Sequence, residues 1–374
     1  MPNILVINSG STSIKFKVFG DKGESFKEGS IDNVTDYDKA IKNILRQIGD
    51  FRDIAGIGHR VVHGGEKFFE PTVINDKVIS ELEKISELAP LHNPYNLAGV
   101  KAAINFLPDI PEAAVFDTGF YRDLPETASF YALPKQLSLR YKIRRYGFHG
   151  ISHELAGMEG AKKLGLDFKK ANLITCHLGG GWSVTAIKNG KAVDTSMGFT
   201  PMEGLMMMTR SGDIDPGIIF LLMKHRELLD ETDDKGRIIM DFSHSQENAV
   251  NVHEEDLMAR RVENILNQES GIKGLTEGIS DYKELLKAVS LGKESAKTAF
   301  DMAIRRLVKY IGSYYAILEG NLDGIIFTGR IGAGNPMTRN SVMRKLKFLK
   351  CPGIPIEPNE EKLIADKVRE LLKI

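Results

Sequence analysis

Two cysteines, one tryptophan and no net charge are the scarcities that first constrain this chain. Cys176 and Cys351 are too few for a disulfide framework, and no Cys-x-x-Cys pair offers a zinc site; the pattern fits a reducing, cytoplasmic compartment. The 50 Lys plus Arg cancel the 50 Asp plus Glu. That balance excludes a bulk electrostatic partner such as duplex DNA or an anionic membrane. There is no apolar run of about 18 residues to span a bilayer. The segment Met1–Lys15 lacks the charged start and cleavable apolar core of a secretion signal. No low-complexity tract or linker stands out. A soluble cytoplasmic enzyme of α/β type is left, with no nucleic acid or membrane partner. Its 374 residues, at about 150 per domain, make two or three domains.

Strand-like apolar runs bounded by turn residues recur at Ile4–Asn8, Ile14–Phe19, Ala113–Phe116, Leu173–His177, Ser183–Ile187 and Gly324–Thr328. Between them lie helical patterns. Asp76–Leu88 is amphipathic, Lys283–Leu318 is long with a break near Ser290–Gly292, and Asn359–Leu372 opens on an N-cap residue followed by two glutamates. Alternating strands and helices predict α/β architecture. One internal echo stands out. The hairpin that begins Asn3-Ile-Leu-Val-Ile-Asn and turns at Gly10 is repeated 169 positions later, beginning at Asn172 and turning at Gly179. If the echo is a duplication, two related lobes face a cleft, where ligands usually bind.

The hairpin tips are rich in small residues. Gly and Ser at a tip expose backbone N–H groups without side-chain obstruction, and hydroxyls complete a cradle for phosphate oxygens. Asn8–Lys15, with Ser11, Thr12, Ser13 and the cation of Lys15, is one such segment. His177–Ser183 is a second, and the glycine-rich turn after the strand ending at Thr328 is a third. None fits the P-loop or dinucleotide-binding spacing, and an ordinary tight hairpin uses glycine too. Three such tips, each behind an apolar strand, favour phosphate.

Charged residues cluster elsewhere. Arg60 stands among glycines between His59 and His63, and Arg210 near Asp213 and Asp215. A cation among glycines is free to face an anion, although a surface ion pair is the usual fate of a lone arginine. The two histidines have helical spacing, but the surrounding glycines and Val61-Val62 read as strand and loop, and no third ligand accompanies them, which argues against zinc. His149 is flanked by glycines, and His92 sits in a proline-bounded loop. Asp117 ends a strand, where side chains of α/β folds point into the ligand crevice. Cradles, arginines, histidines and a few carboxylates suit phosphoryl transfer, which needs charge neutralisation and alignment more than covalent help.

These blocks resemble the acetate kinase (acetokinase) family of the sugar kinase, Hsp70 and actin superfamily. The matches are Val6-Ile-Asn-Ser-Gly-Ser-Thr-Ser-Ile-Lys15, Gly58-His-Arg-Val-Val-His-Gly-Gly-Glu-Lys-Phe68, Leu88-Ala-Pro-Leu-His-Asn-Pro94, Phe116-Asp-Thr118, Arg145-Tyr-Gly-Phe-His-Gly150, Ile174-Thr-Cys-His-Leu-Gly179, Asp194-Thr-Ser-Met-Gly-Phe-Thr-Pro-Met-Glu-Gly204 and Thr209-Arg-Ser-Gly-Asp-Ile-Asp-Pro216. The resemblance implies two duplicated ribonuclease H-like lobes around a central cleft. The N-terminal lobe would hold residues 1–119 with the returning helix 361–374, and the C-terminal lobe residues 120–360. It implies reversible transfer of a terminal phosphoryl group, from ATP, to acetate, with Mg²⁺ or Mn²⁺, in a cytoplasmic homodimer. Arg60, Asp117, His149 and Arg210 would be catalytic, and Asn8, Asp117 and Glu360 would organise the metal. Arg60, Val61, Leu91, His92, Phe148 and Pro201 would bind the acyl substrate. Phosphates and nucleotide would meet Ser11, Ser13, Lys15, His177, Gly179, Gly181, Asp281, Tyr282, Lys283, Gly329, Gly332 and Asn335.

Three departures from the family pattern lie on the donor side: Gly180 where it usually has asparagine, Arg330 where it has glycine, and a shorter stretch before Asn359. They open the alternative of a smaller donor, pyrophosphate. The acyl side leaves propionate or butyrate as alternative acceptors, because one methylene changes discrimination by only about 1–3 kcal/mol.

Overall fold

The apolar alternation sorts into two mixed sheets in the computed structural model, which describes residues 2–20, 23–49, 52–229 and 254–374. The first sheet contains β1 (Asn3–Ser9), β2 (Ser13–Phe19), β3 (Ser25–Asp32), β4 (Ile54–Val61), β5 (Thr72–Val73) and β6 (Glu112–Phe116), in the order β3-β2-β1-β4-β6-β5. β2 is antiparallel to β1 and β3, whereas β4 is parallel to β1 and β6. The second sheet contains β7 (Asn172–Leu178), β8 (Trp182–Lys188), β9 (Lys191–Thr195), β10 (Gly324–Thr328) and β11 (Gly353–Pro355), in the order β9-β8-β7-β10-β11. β10 is parallel to β7 and β11, and β8 is antiparallel to β9.

The two sheets repeat one plan, and the hairpins keep the offset seen in the sequence: β1 and β7 begin at 3 and 172, β2 and β8 at 13 and 182. All six predicted strands are present. β4, of which only the end near Val61 read as strand, is a buried strand interrupted by glycines (Ile54-Ala-Gly-Ile-Gly-His-Arg-Val61), which hides its apolar run.

Each face of the first sheet is covered by helices. Leu5, Ile7 and Ile57 pack against Ile41 and Ile44 of the helix Tyr37–Ile48 and Ala102 and Ala103 of the helix Asn93–Phe106. Ile4, Val6, Ala113 and Val115 pack against Ile151 and Leu155 of the helix Gly150–Lys163 and Leu363, Ile364 and Val368 of the final helix Glu360–Leu372. The helix Gly150–Lys163 serves the second sheet as well, because Ala156 and Ala161 meet Leu173, Ile187 and Ile326.

Helix boundaries follow local chemistry with two exceptions. Asp76–Leu88 is a helix to Ile85 and a tight 3₁₀ turn beyond it. The long pattern 283–318 is two helices, Tyr282–Ser290 and Glu294–Ile317, parted where Gly292 adopts φ +77°. Asn359, however, does not cap the final helix with its side chain. Its amide oxygen accepts instead from Lys17 Nζ at 3.3 Å, and Lys17 also pairs with Glu361 at 3.4 Å. The glycine-rich segment after Thr328 is not an open turn but a short helix, Gly329–Gly334.

Two compact units divide the chain. One comprises Met1–Gly179, Ser183–Pro201 and Val308–Ile374; the other comprises Gly180–Trp182 and Met202–Leu307. The boundary expected at residue 119 falls inside the first unit, whose two sheets share the helix Gly150–Lys163. Among the described residues no helix is long and apolar enough to cross a membrane.

Ile364 is fully buried on the shared face of the first sheet. Truncating such a side chain costs about 2–5 kcal/mol through lost transfer energy and a residual cavity. Ile364→Ala therefore lowers the denaturant midpoint of the purified protein, and an unchanged midpoint would show that the returning helix does not hold the sheet.

Candidate functional site

Register places the polar residues of the first sheet on one face. Asn8 pairs with Lys15 across the β1–β2 hairpin, and Val6 pairs with Gly58 in β4. Arg60 lies two residues beyond Gly58 and pairs with Val115, and Asp117 lies two beyond Val115. Because facing alternates with period two, Asn8, Lys15, Arg60 and Asp117 share the face of Ile4, Val6, Ala113 and Val115. The apolar members are covered by the two helices just described. The polar members come after them, at the carboxyl ends of parallel β1, β4 and β6, the usual ligand side of such sheets. The covering helices begin at the same end: His149 precedes Gly150, and Glu360 opens the last helix.

Asp117 is 2% exposed, so its charge requires a partner. Arg60 supplies one, with Nε donating to both carboxylate oxygens at 3.2 and 3.1 Å and a terminal nitrogen to Oδ2 at 2.6 Å. Burial works against the guanidinium's charge, but Asp117, with Glu360 and Glu361, more than offsets it and raises the Arg60 pKa. The Arg60 side chain remains a quarter exposed, which leaves part of the guanidinium for a ligand. For Glu360, burial opposes ionisation, yet His177, a backbone N–H, Ser152 and Arg60 outweigh it and hold the carboxyl below its usual value. His177 lies 3.9 Å from Glu360 and bonds Ser152 Oγ at 2.8 Å. Burial lowers its pKa.

His149 has left-handed backbone, φ +57°, rare for a side chain of this size. The conformation sits just before the helix Gly150–Lys163, and the ring lies against His177, with centroids 4.3 Å apart. His149 Nδ1 lies 2.9 Å from Ser183 Oγ. Asn8 and His177 occupy equivalent places in the two hairpins, 169 positions apart.

The phosphate-side residues are distributed as follows. Gly10 N–H closes the first tip onto the Ser13 carbonyl at 2.8 Å, leaving Ser11 and Lys15 exposed and Ser13 half-buried. Gly179 ends the first unit's part of the second tip, and Gly181 belongs to the second unit. Gly329, at φ +77°, has no room for a side chain, since a Cβ there would lie 2.5 Å from the Leu178 carbonyl oxygen. Asn335 uses its side-chain oxygen to cap the next helix, accepting from Thr338, and the Gly332 and Ala333 carbonyls accept from Arg339. Arg330 is exposed.

On the acyl side, Phe148 is buried beside His63 (centroids 5.5 Å), while Val61 packs in a core cluster with Leu82, Leu97 and Phe116. Leu91 is 47% exposed, Pro201 is partly exposed, and His92 stands at the start of the helix Asn93–Phe106. His59 is engaged with Glu112 at 2.8 Å in the core. The roles of two residues in the first turn of the helix Asn93–Phe106 escaped the sequence reading. Asn93 accepts from His63 N–H and donates to its carbonyl, and Asn96 accepts from Val62 N–H and donates to Ser9. They fasten the ends of β4 and β1, where Arg60 and Asn8 stand. Their signal was two asparagines one helical turn apart.

In the second unit, Arg210 donates to Met207 Sδ at 3.7 Å, and burial lowers its pKa. Its loop is clamped. Met207 N–H bonds the Arg210 carbonyl, Ser211 N–H bonds Leu266, and Ile272 N–H bonds Met207. Leu266 lies in a π-helical turn, Ile265–Glu269, a feature frequent at functional sites. Asp281 caps the helix Tyr282–Ser290 through Lys283 and Glu284 N–H, at 2.8 and 3.1 Å. Tyr282 packs on Trp182, and Lys283 is exposed.

Gly271, at φ +64°, would put a Cβ 2.3 Å from the Met207 oxygen and 2.7 Å from that of Arg210. Gly292, at φ +77°, meets nothing within 4 Å. Gly271→Ala thus adds a backbone collision to the left-handed strain, and Gly292→Ala adds the strain alone, about 1 kcal/mol. The melting temperature falls further in Gly271→Ala; equal falls would show that the Arg210 loop is not clamped there.

The chain also resembles known proteins along nearly its whole length. A model of the Acetokinase family matches residues 21–234 and 249–370. An acetate kinase of Thermotoga maritima is 40% identical, with 92% of this chain and 86% of that protein covered. One from Dictyoglomus turgidum is 38% identical, covering 98% and 90%. Among solved structures, Porphyromonas gingivalis acetate kinase superposes with a TM-score of 0.85 at 33% identity, covering 100% of both chains. A propionate kinase from Francisella tularensis does so with a TM-score of 0.84 at 31% identity, covering 99% of this chain and 100% of the other. With the doubled mixed sheet and these matches together, this chain belongs to the acetokinase family, on a fold of the sugar kinase, Hsp70 and actin type.

Proposed function

We propose that the protein is an acetate kinase that transfers the terminal phosphoryl group of ATP, reversibly and in line, to acetate, giving acetyl phosphate and ADP. The observation that carries this reading is the Arg60 guanidinium, oriented by three N–H···O contacts to buried Asp117 at the carboxyl edge of the first sheet. The acceptor oxygen attacks the γ-phosphorus as the bond to the β-phosphate oxygen breaks. A carboxylate with a pKa near 4 to 5 is already ionised at neutral pH, so no general base is required. The barrier lies in bringing one anion to another. Arg60, Arg210, His149 and Lys15 supply the opposing charge, which counts for more in a site that excludes water. A sugar kinase, by contrast, needs a carboxylate beside a hydroxyl to take its proton, and here Asp117 is tied to Arg60.

Mg²⁺ suits the residues present. A carboxylate has about four acceptor positions, and Asp117 uses three contacts on Arg60. Glu360 is held ionised nearby, and both are the hard oxygen donors Mg²⁺ takes beside phosphates and waters. Asp117, Glu360 and the amide oxygen of Asn8 would hold the ion, which when bound neutralises charge on the phosphates. Val61, Leu91, His92, Phe148 and Pro201 are proposed for the acyl end, and the hairpin tips, Asp281, Tyr282, Lys283, Gly329, Gly332 and Asn335 for the donor. The proposal extends to a cytoplasmic homodimer with two lobes bounded at residues 119 and 361.

Arg60→Lys keeps the charge but loses the planar fork that Asp117 orients. Both it and Arg210→Ala lower kcat at least about a hundredfold with circular dichroism unchanged, measured by hydroxylamine trapping of acetyl phosphate. Near wild-type turnover in either removes that arginine from the mechanism. A panel of donors and acceptors gives turnover with ATP and acetate and none with pyrophosphate. Turnover with pyrophosphate alone would transfer the donor role to it, and a preference for propionate or butyrate would move the acceptor.

A further inference from the structure

A polar chain runs beneath His149 that the phosphoryl-transfer reading does not use. Ser183 Oγ lies 2.9 Å from His149 Nδ1 and 2.7 Å from His153 Nε2. The other nitrogen of His153 lies 2.7 Å from Thr175 Oγ1, which in turn contacts the Thr185 carbonyl at 3.5 Å. Ser183, His153, Thr175 and Thr185 are all fully buried. His153 and Thr175 face each other because the first turn of the helix Gly150–Lys163 covers the side of β7 that carries Leu173, Thr175 and His177.

Hydrogen bookkeeping gives this chain a direction. The Thr185 carbonyl can only accept; with the Thr175 proton assigned to it across 3.5 Å, Thr175 accepts from His153 Nδ1–H. Burial, reinforced by His177, keeps His153 neutral. A neutral imidazole that donates from Nδ1 accepts at Nε2, so Ser183 donates to His153. Ser183 is then left to accept, and of its two described side-chain contacts His149 Nδ1–H is the one that can donate to it. The same polarity serves a protonated His149, which also donates from Nδ1.

We propose that Ser183 and His153 are positioning residues that fix the tautomer of His149, holding its proton on Nδ1 and making Nε2 the nitrogen that exchanges protons. The inference rests on His149 being the histidine that steadies the transferring group. With Nδ1–H committed to Ser183, Nε2 carries a hydrogen only when the ring is protonated, so His149 meets an anion as a cationic N–H donor from that one nitrogen, and a wrong tautomer is known to be costly where histidine must act from one nitrogen.

The test is ¹⁵N NMR of histidine-labelled protein near pH 9, where ordinary imidazoles are neutral. The His149 signals are assigned by their loss in His149→Asn, since asparagine tolerates left-handed backbone. In the wild type, Nδ1 has the protonated shift and Nε2 the bare one. Ser183→Ala moves His149 toward the Nε2–H form that an undirected histidine prefers, and lowers kcat at least about tenfold with little change in KM. Thr175→Val, which touches neither His149 nor Ser183 by this chain, moves the tautomer in the same sense; it carries the test alone should Ser183→Ala fail to fold. A wild-type His149 protonated on Nε2, or variants that leave its tautomer or kcat unchanged, overturn the proposal. A wild-type protein with no acetate-dependent turnover would instead defeat the acetate kinase reading, while the spectra still report the chain's polarity.

Discussion

A carboxylate removed from water must be paired or neutralised, and Asp117 is almost wholly removed. Its pairing with Arg60 is therefore a constraint on the fold before it is a device of the site. The strand order makes the pairing local. Parallel β4 and β6 are neighbours, Arg60 stands opposite Val115, and Asp117 follows two residues on. The guanidinium lies flat along the carboxylate because two contacts share one donor and a third fixes its rotation. A buried pair of this kind contributes little net stability, since desolvation consumes most of the attraction. What it secures is orientation, which is what the site proposed for two anions requires.

The helix Gly150–Lys163 then extends that orientation to the second sheet. Its apolar side chains split between the sheets: Ile151 and Leu155 go to one, Ala156 and Ala161 to the other. Its polar first turn falls where both sheets present their carboxyl ends. Ser152 reaches His177 and His153 reaches Thr175, while His149 stands just ahead of the first turn. One element thus carries His153, follows His149 directly and meets His177 through Ser152, without any long loop.

Much of this was legible in the sequence, and the failures share a cause. Strands with unbroken apolar runs were visible because side-chain burial alone defines them. β4 was visible only near Val61, because Gly56 and Gly58 make room for Leu372, Ile364 and Val368 of a helix more than 300 residues away. Asn359 looked like an N-cap, which is a local rule. Lys17, 342 positions distant, claims its oxygen instead. Arg60, Asp117 and His149 were found through their glycine and strand-end settings. His153 and Thr175 were passed over, and Ser183 was read only as the end of a phosphate cradle. A threonine in the middle of the apolar run Leu173-Ile-Thr-Cys-His177, with two histidines four apart on the helix start, was the available signal. Neither half means anything until the helix is laid over the strand.

The duplication explains why the two hairpins differ as they do. Both began from the same geometry, and the offset still holds strand for strand. The first tip carries hydroxyls and is followed by an exposed lysine, so it offers donors and charge from side chains. The second is three glycines, with open space around the middle one, so it offers backbone alone. At the equivalent strand ends, Asn8 provides an amide and His177 an imidazole whose pKa burial lowers. A symmetric pair of cradles would treat both ends of a phosphate chain alike. On the donor role proposed for these tips, one end of the chain would be held by charge and the other merely fitted, and divergence between copies of one hairpin supplies that difference without altering the scaffold that positions it.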